Sequence, residues 1–450
     1  MSLAKTSIIW FRRDLRINDH PALLAAIESA DQVIPLFILD KKQIDEAGQK
    51  LLAYMGQSLR ALDESLGNRL HIIEGDQVEV LKELIAAHGV EEVHISAEYE
   101  RFGAERDARV EAAGIKLVRT GSPYAVTPGR VLKPSDATPY RVYTPFYRRW
   151  SEQSVEPPYS LDVKSVNWLS PTAASAVPSL TSAAPYQVIA GEEFALSTLQ
   201  RFLKDRVFSY SEDRNRPDKN GTSKLSHALA HGEIHPRTLL NGLGAAPGQE
   251  VFRKEIAWRE FYADVLFHNP RTVNDYYEPR FANMRYDSPV EFSEKLLAWK
   301  TGQTGYPIVD AAMRQLVQTG WMHNRTRMIV ASFLVKDLHF EWQLGAQFFE
   351  EHLTDFDPAS NAHGWQWTAG CGTDASPYYR VFNPVLQGIK FDPNGHYVNR
   401  WVPELSHLDK TSIHEPWNDI SGYQHGYPPP IVDHGQERLE ALARLEELKG

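Results

Sequence analysis

The chain has 450 residues, of which 42% are hydrophobic and 24% are charged. Hydrophobic cores seldom grow beyond ~250–300 residues, so this length predicts two domains. No apolar run approaches the ~18 residues that a membrane span needs, and no secretory signal is visible at the N-terminus. We therefore expect a soluble, cytoplasmic protein without a membrane partner.

The single cysteine, Cys371, excludes an internal disulfide and a cysteine-cluster metal site, and we expect no metal. The formal net charge of -10 argues against a nucleic-acid partner, because such binding normally uses a basic surface. A local cluster of arginines can still form a positive patch on an acidic protein. A DNA partner therefore requires such a patch.

Residues 1–130 alternate short apolar runs with segments of helical spacing. Strands are predicted at Ser7–Phe11, Val33–Leu39, Leu70–Ile73, Val93–Ile95 and Lys116–Arg119. Helices are predicted near residues 20–30, 51–66, 76–88 and 103–114. Strict alternation predicts a doubly wound α/β domain with a parallel sheet covered on both faces. No G-x-G-x-x-G pattern follows the first strand, so the usual dinucleotide site is not supported there.

From residue 131 to about 195 the chain is rich in Pro, Ser, Ala and Thr, as in Ser170–Pro178. We interpret this stretch as a long interdomain linker. Helical segments punctuated by Gly and Pro follow. Residues 196–450 are therefore predicted to form an all-α domain.

The segment Gly221–Ser226 is predicted to open a helix, with Thr222 or Ser223 as its N-cap and Gly232 as its stop. Free backbone N–H groups and the helix dipole make such a start a plausible diphosphate cradle. The signal is weak by itself, because most helices begin with Ser or Thr and bind nothing.

Three histidines, His227, His231 and His235, follow at four-residue spacing. No H-E-x-x-H pattern and no suitable carboxylate accompany them, so a structural role is favoured over a metal site.

A short aromatic segment, Trp258–Tyr262, places Glu255 and Arg259 four residues apart on one helix face. The spacing alone favours an ordinary surface ion pair beside core aromatic residues.

A second basic segment places Asn324, Arg327 and Met328 on one side of a helix, with Arg325 on a neighbouring side. Arginines at a helix start are disfavoured by the dipole, which indicates an anionic partner. The downstream segment Asp355–Asp357 could pair with Arg327. Further on, Asn361–Trp367 is too irregular in pattern for a simple core helix.

These segments resemble the photolyase and cryptochrome family across nearly the full length of the chain, and within it the class I type of bacterial cyclobutane pyrimidine dimer photolyases. The resemblance is carried by Trp10–Arg16, Gly221–Ser226, Trp258–Tyr262, Thr304–Arg314, Gly320–Met328, Gly364–Trp367 and Tyr379–Pro384. It implies an α/β antenna domain joined by a linker to a helical domain that binds FAD and DNA.

The resemblance also implies a residue set for FAD. The ribityl diphosphate region would be held by Tyr210, Thr222, Ser223, Lys224, Leu225 and Ser226. The isoalloxazine ring would be surrounded by Arg327, Asp355, Asp357 and Asn361, with Asn361 facing flavin N5, where an uncharged amide suits a protonated or an unprotonated nitrogen. Trp365, Trp342 and Trp299 match the family's chain of tryptophans that passes electrons from the surface to photoexcited flavin.

Substrate choice follows from the same resemblance. Six-four photolyases carry histidines at the positions of Asn324 and Met328, so this chain is expected to act on the cyclobutane dimer. Glu255 would hydrogen-bond one base of the dimer and Asn324 the other edge. The apolar walls would be Trp258, Met328 and Trp367, and contacts to UV-damaged DNA would come from Arg214, Arg259, Arg325, Arg380 and Gln387.

The implied reaction is light-driven electron transfer from reduced FAD to a flipped-out dimer. The alternative is a cryptochrome-type blue-light photoreceptor. The lack of a long tail after residue 449 argues against this alternative. An antenna chromophore is also implied. The segment Tyr99–Asp107 is closer to members that bind 8-hydroxy-deazaflavin than to those that bind methenyltetrahydrofolate. Folate, a second flavin or an empty site is left open. We expect a monomer.

Overall fold

The computed structural model describes residues 4–170, 189–374 and 379–448. It contains a five-stranded sheet in which all strands are parallel, in the order β3-β2-β1-β4-β5. The strands are β1 (Thr6–Phe11), β2 (Gln32–Leu39), β3 (His71–Glu74), β4 (Glu92–Ile95) and β5 (Leu117–Arg119). Each predicted strand is confirmed to within two residues.

Helices cover both faces of this sheet: α1 (Pro21–Ser29), α2 (Lys41–Glu46), α3 (Gln49–Ser65), α4 (Gln77–His88) and α5 (Arg101–Ala112). Alternate residues of β1 enter two separate cores, with Ile9 and Phe11 in one and Ile8 and Trp10 in the other. The doubly wound α/β prediction is therefore confirmed, and only the short α2 was not expected.

Beyond β5 the described chain carries helices, which agrees with the all-α prediction for residues 196–450. Its helices are α6 (Tyr143–Ser151), α7 (Glu192–Arg201), α8 (Tyr210–Asp213), α9 (Ser226–His231), α10 (Pro236–Asn241), α11 (Pro247–His268), α12 (Ser293–Thr301), α13 (Pro307–Thr319), α14 (Asn324–Lys336), α15 (Trp342–His352), α16 (Pro358–Ala369), α17 (Pro384–Phe391), α18 (His396–Trp401) and α19 (His434–Glu447). A π-helix, Phe202–Arg206, continues α7, and 3₁₀ turns occupy Pro270–Val273, Pro279–Asn283, Pro403–Leu405 and Pro416–Asn418.

Internal contacts divide the chain into two compact units. The first unit comprises residues 1–140, 145–205 and 223–270, and the second comprises residues 141–144, 206–222 and 271–450. The buried Glu260 of α11 explains part of this grouping: it accepts hydrogen bonds from the Ala125 and Val126 amides and from the Trp150 indole, at 2.5, 3.0 and 2.6 Å. The predicted domain boundaries at 130 and 195 stay predictions.

The predicted linker is structured where the model describes it. It carries α6, and the Leu169 amide donates to the Val33 carbonyl of β2 at 2.9 Å. Most of the quoted Ser170–Pro178 stretch lies outside the described residues.

The second unit has one hydrophobic core, built mainly by α13, α14, α15 and α16. Proline at the first helical position starts α13, α16 and α17, and left-handed glycines end α12, α13 and α16. Among the described residues, no helix is both long and apolar enough to cross a membrane.

Candidate flavin and DNA site

The loop before α9 differs from its predicted form. The helix begins at Ser226, and the residue at its N-cap is Leu225, so the prediction of Thr222 or Ser223 as the cap is wrong. The Ser223 hydroxyl instead accepts a hydrogen bond from the Leu225 amide at 3.3 Å, because the intervening Lys224 has a left-handed φ of 58°. Residues with positive φ other than glycine are uncommon and cluster at ligand sites. The predicted stop at Gly232 is confirmed, with φ 69°.

The first part of this loop belongs to the second unit and is fixed there by two contacts. The Arg206 guanidinium donates to the Thr222 carbonyl at 3.1 Å. A Cβ on Gly221 would lie 2.6 Å from the Asp213 Cβ, so only glycine allows this approach to α8. The same helix carries Tyr210, which is buried, and is followed by the half-buried Arg214.

The predicted pairing of Arg327 with the acidic segment after α15 is confirmed. Its Nη2 donates to both oxygens of Asp355 at 2.7 and 3.0 Å, and its Nε donates to the Met322 carbonyl at 2.9 Å. The Asp355 side chain is 1% exposed, and a buried carboxylate needs such a partner. The second acid, Asp357, accepts from the Ser360 amide at 2.8 Å and thereby caps α16. Both predicted flavin-ring acids are thus held in fixed positions beside α16.

The segment Asn361–Trp367 forms a regular part of α16, which is not a simple core helix. Its pattern is unusual because one helix face, with Asn361, Gly364 and Trp367, is only partly covered while the other faces are buried. No described atom lies within 4 Å of a Cβ built on Gly364. The Asn361 amide nitrogen donates to the Ala346 carbonyl at 3.0 Å, which sets the direction of its side-chain oxygen. This open face, beside a buried ion pair and a positioned amide, fits a flat heteroaromatic ring.

Two glycines provide a matched test of that open face. A Cβ on Gly345 of α15 would clash with the Trp365 ring, whereas Gly364 has space. We expect Gly345→Ala to lower the free energy of unfolding by ~1–3 kcal/mol through overpacking. Gly364→Ala should leave it unchanged or raise it by ~0.5–1 kcal/mol, because alanine is the better helix former. Denaturant titration measures both.

The amount of FAD bound to the purified protein is a second measurement for variants of Gly364. We expect Gly364→Leu to reduce the FAD retained on purification while the protein stays folded, because the side chain would fill the open face. Full FAD occupancy in the leucine variant would contradict the assignment of this face.

All three predicted tryptophans lie in the core of the second unit. Trp299, Trp342 and Trp365 are 0%, 1% and 3% exposed. The rings of Trp299 and Trp365 are 6.2 Å apart, edge to face, and Trp365 packs on Gly345, one turn from Trp342 along α15. The expectation that these three residues reach the surface is therefore wrong, because helices α12 to α16 enclose them. Their role in electron transfer stays a prediction.

Several predicted DNA contacts of the second unit meet around Arg325. Its guanidinium donates to Asn215 Oδ1 at 2.8 Å, next to Arg214, and lies 4.5 Å from the ring of Phe391, one turn from Gln387 on α17. The Asn324 side chain is exposed at the start of α14, and Met328 and Trp367 are half-buried. Arg380 is exposed, and its carbonyl accepts from Lys336 at 2.6 Å.

The remaining predicted residues lie on α11, in the first unit. Glu255, Trp258 and Arg259 are all half-buried. The Trp258 ring contacts Tyr262 at 5.4 Å, and the Arg259 guanidinium donates to the Pro123 carbonyl at 3.2 Å and lies 4.8 Å from the Tyr124 ring. Arg259 is thus used in packing its own unit.

The histidine triplet has structural contacts, as the sequence favoured. The Tyr54 ring stacks on His227 at 5.3 Å and makes a tilted contact with His231 at 4.6 Å, and His235 is hydrogen-bonded to the Ser122 carbonyl at 2.8 Å. Within the described part of the chain, no group of three or more His, Cys, Asp or Glu could hold a metal ion.

Two buried titratable residues of the second unit were missed by the sequence reasoning. Burial lowers the pKa of Lys336 to about 7 and that of His363, on α16, to about 4. Lys336 lies in the last turn of α14, and tertiary packing encloses it.

An α/β sheet domain combined with a helical unit that carries this site is the architecture of a two-domain flavoprotein. Residues 7–162 match the family model described as DNA photolyase, and residues 252–447 match the one described as the FAD binding domain of DNA photolyase. The chain belongs to the DNA photolyase family.

Curated relatives and solved structures agree with that membership. The chain is 40% identical to a deoxyribodipyrimidine photo-lyase of Agrobacterium fabrum, over 98% of each chain, and 36% identical to that of Escherichia coli, again over 98% of each. A bacterial class III photolyase from Agrobacterium tumefaciens superimposes with a TM-score of 0.90 at 38% identity, over 99% of this chain and 98% of that one. A cryptochrome of Synechocystis gives 0.87 at 26% identity, over 98% of this chain and 99% of that one.

Proposed function

We propose that this protein splits cyclobutane pyrimidine dimers in DNA by light-driven electron transfer. The observation that carries the proposal is the open face of α16, where Asn361 and Gly364 lie beside the Arg327–Asp355 pair. The curated relatives that span the whole chain are named for action on pyrimidine dimers. The class I assignment within the family stays a prediction.

FAD, when bound and reduced, supplies the electron on absorbing light and takes it back after the dimer has opened. The chain's own residues position it. Asp355 and Arg327 form a buried, charge-balanced pair that can meet the polar edge of the flavin ring, and the Asn361 amide can face N5. Tyr210 and the segment Thr222–Ser226 are assigned to the ribityl diphosphate.

The apolar contacts to the dimer are assigned to Trp258, Met328 and Trp367, and the hydrogen bonds to its base edges are assigned to Glu255 and Asn324. A linked dimer pairs and stacks poorly, so extruding it costs less than extruding normal bases. Glu255, when protonated or acting through its neighbours, would also stabilise the negative charge that develops on the dimer. No nucleophile or hydrolytic base is needed, because both bonds between the pyrimidines break after transfer of one electron, which then returns.

The predicted positive patch is assigned to the second unit, with Arg214, Arg325, Arg380 and Gln387, and a separate DNA contact is assigned to Arg259 of the first unit. Arg325 supports this assignment best, because its guanidinium contacts Asn215, next to Arg214, and Phe391 on α17. Phosphate contacts of this kind make affinity fall steeply with salt. This patch would offset the net charge of -10.

An antenna chromophore is part of the proposal, with 8-hydroxy-deazaflavin favoured over methenyltetrahydrofolate. The crevice between β1 and β4, where the strand order reverses, is where open α/β sheets bind ligands. There Arg12 pairs with Glu98 at 3.1 Å and with Asp107 at 2.7 Å. An archaeal photolyase of 29% identity and TM-score 0.87 is described with two FAD molecules, with the implication of a novel light-harvesting cofactor, so a second flavin stays open.

A cryptochrome-type photoreceptor is the second candidate, favoured by the likeness to the Synechocystis cryptochrome. The greater identity to the photo-lyases argues for repair. A monomeric state and a cytoplasmic location stay predictions.

Ultraviolet-treated DNA tests the proposal. Purified protein should convert cyclobutane thymine dimers to monomers under blue or near-ultraviolet light and leave them intact in darkness. Repair in the dark, or reversal of six-four products alone, would contradict it.

A further inference from the structure

Two tyrosines lie between the enclosed tryptophans and the protein surface. Within the second unit, the Tyr276 ring meets the Trp342 ring edge to face at 6.2 Å, and the Tyr286 ring stacks on Tyr276 at 6.2 Å and 19°. Tyr276 is 6% exposed and Tyr286 is partly exposed. Since Trp299, Trp342 and Trp365 are at most 3% exposed, an aromatic route from this core to solvent passes through the tyrosines.

The Tyr276 hydroxyl is hydrogen-bonded to a proton acceptor. It donates to Glu341 Oε1 at 3.1 Å, and Glu341 is exposed and directly precedes Trp342 in the chain. The Tyr286 hydroxyl is in turn hydrogen-bonded to that of Tyr276. Burial, reinforced by the Glu341 charge, raises the pKa of the Tyr276 phenol, so this phenol is protonated at neutral pH.

In the described part of the chain, the indoles of the three core tryptophans have no such proton acceptor. The N–H groups of Trp342 and Trp365 find no hydrogen-bond acceptor among the described residues, and the Trp299 N–H donates to the Val330 carbonyl at 3.1 Å, which cannot take up a proton. An oxidised indole at these positions therefore keeps its charge and returns the electron readily. A phenol that passes its proton to a carboxylate on oxidation instead becomes a neutral radical, which does not readily take the electron back.

We propose that Tyr276 is the last internal electron donor when the oxidised flavin is reduced by light, and that Glu341 receives its proton. The inference rests on the proposed function, since it requires bound FAD. One electron passes from Trp365 to the excited flavin, one from Trp342 to Trp365, and one from Tyr276 to Trp342. Tyr276 loses one electron to Trp342 and one proton to Glu341. The flavin gains one electron. An external thiol later returns a hydrogen atom to Tyr276.

Flash spectroscopy and EPR of the oxidised, FAD-containing protein without DNA test the assignment. In the wild type the flash should leave a neutral tyrosyl radical. In Tyr276→Phe we expect a short-lived tryptophanyl radical instead and a severalfold lower yield of photoreduced flavin. The matched control is Tyr277→Phe, the neighbouring half-buried tyrosine, which should keep the tyrosyl signal.

Two further variants sharpen the test. Glu341→Gln removes the proton acceptor but keeps the aromatic route, so tyrosyl formation should slow and gain a larger solvent isotope effect in D₂O. Trp342→Phe interrupts the proposed path between Trp365 and Tyr276, so it should abolish the tyrosyl radical. An unchanged tyrosyl radical in Tyr276→Phe or in Trp342→Phe, or no tyrosyl radical in the wild type, would overturn the assignment. Dimer repair by chemically pre-reduced wild type is measured in parallel: its absence would contradict the proposed function, while the radical spectra still decide the role of Tyr276.

Discussion

Arg327→Met should destabilise the protein by about 3 kcal/mol and abolish FAD retention, because it leaves the Asp355 carboxylate buried without its guanidinium partner. Denaturant unfolding and the absorption of the purified protein measure the two effects. The matched control is Arg149→Met, which removes a solvent-exposed pair with Glu152 and should change neither property noticeably.

A double variant separates stability from flavin binding. Arg327→Met combined with Asp355→Leu replaces the buried pair by apolar side chains, which is often neutral for stability. We expect the free energy of unfolding to recover in large part while FAD retention stays low. Normal FAD occupancy in the double variant would mean that the pair only supports the fold.

Glu255→Ala should lower the yield of dimer repair by about tenfold or more with FAD still bound, since a hydrogen bond to a charged group contributes ~1.5–3 kcal/mol. Repair is measured on illuminated DNA that carries cyclobutane dimers, with enzyme reduced beforehand. Glu250→Ala is the control on the same helix, because Glu250 pairs with Arg253 and Tyr147 and is assigned no contact to the dimer.

The glutamine variant refines the test. Glu255→Gln keeps a hydrogen-bonding side chain but has no titratable proton and no charge. Its repair yield should therefore fall between those of the alanine variant and the wild type. Equal yields for Glu255→Ala and Glu250→Ala would remove the role assigned to Glu255.

Local patterns in the sequence were sufficient for the sheet domain. Strands buried on both faces appear as continuous apolar runs such as Val33–Leu39, and the helices between them have clear periodicity. The pairing of Arg327 with Asp355 was also predictable, because two basic residues in the first turn of α14 need an anionic partner.

Features that depend on tertiary packing were not predictable. The burial of Trp299 is set by helices distant in sequence, and the contact of Tyr276 with Trp342 arises only when the 3₁₀ region near residue 280 packs beside α15. The open face of α16 appeared in the sequence as irregularity, because a helix that leaves one face for a ligand lacks the usual apolar stripe. The cap before α9 was misplaced because Lys224 takes a left-handed conformation that side chains rarely adopt.

The most direct test of the central claim counts electrons during repair. Pre-reduced protein is mixed with an oligonucleotide that carries one cyclobutane dimer, without added reductant, and is illuminated by single flashes. Monomers should accumulate over many turnovers while the absorption of the reduced flavin recovers fully after each flash. The loss of one reduced flavin for every dimer opened, or dimer opening at the same rate in darkness, would contradict a redox-neutral, light-driven reaction.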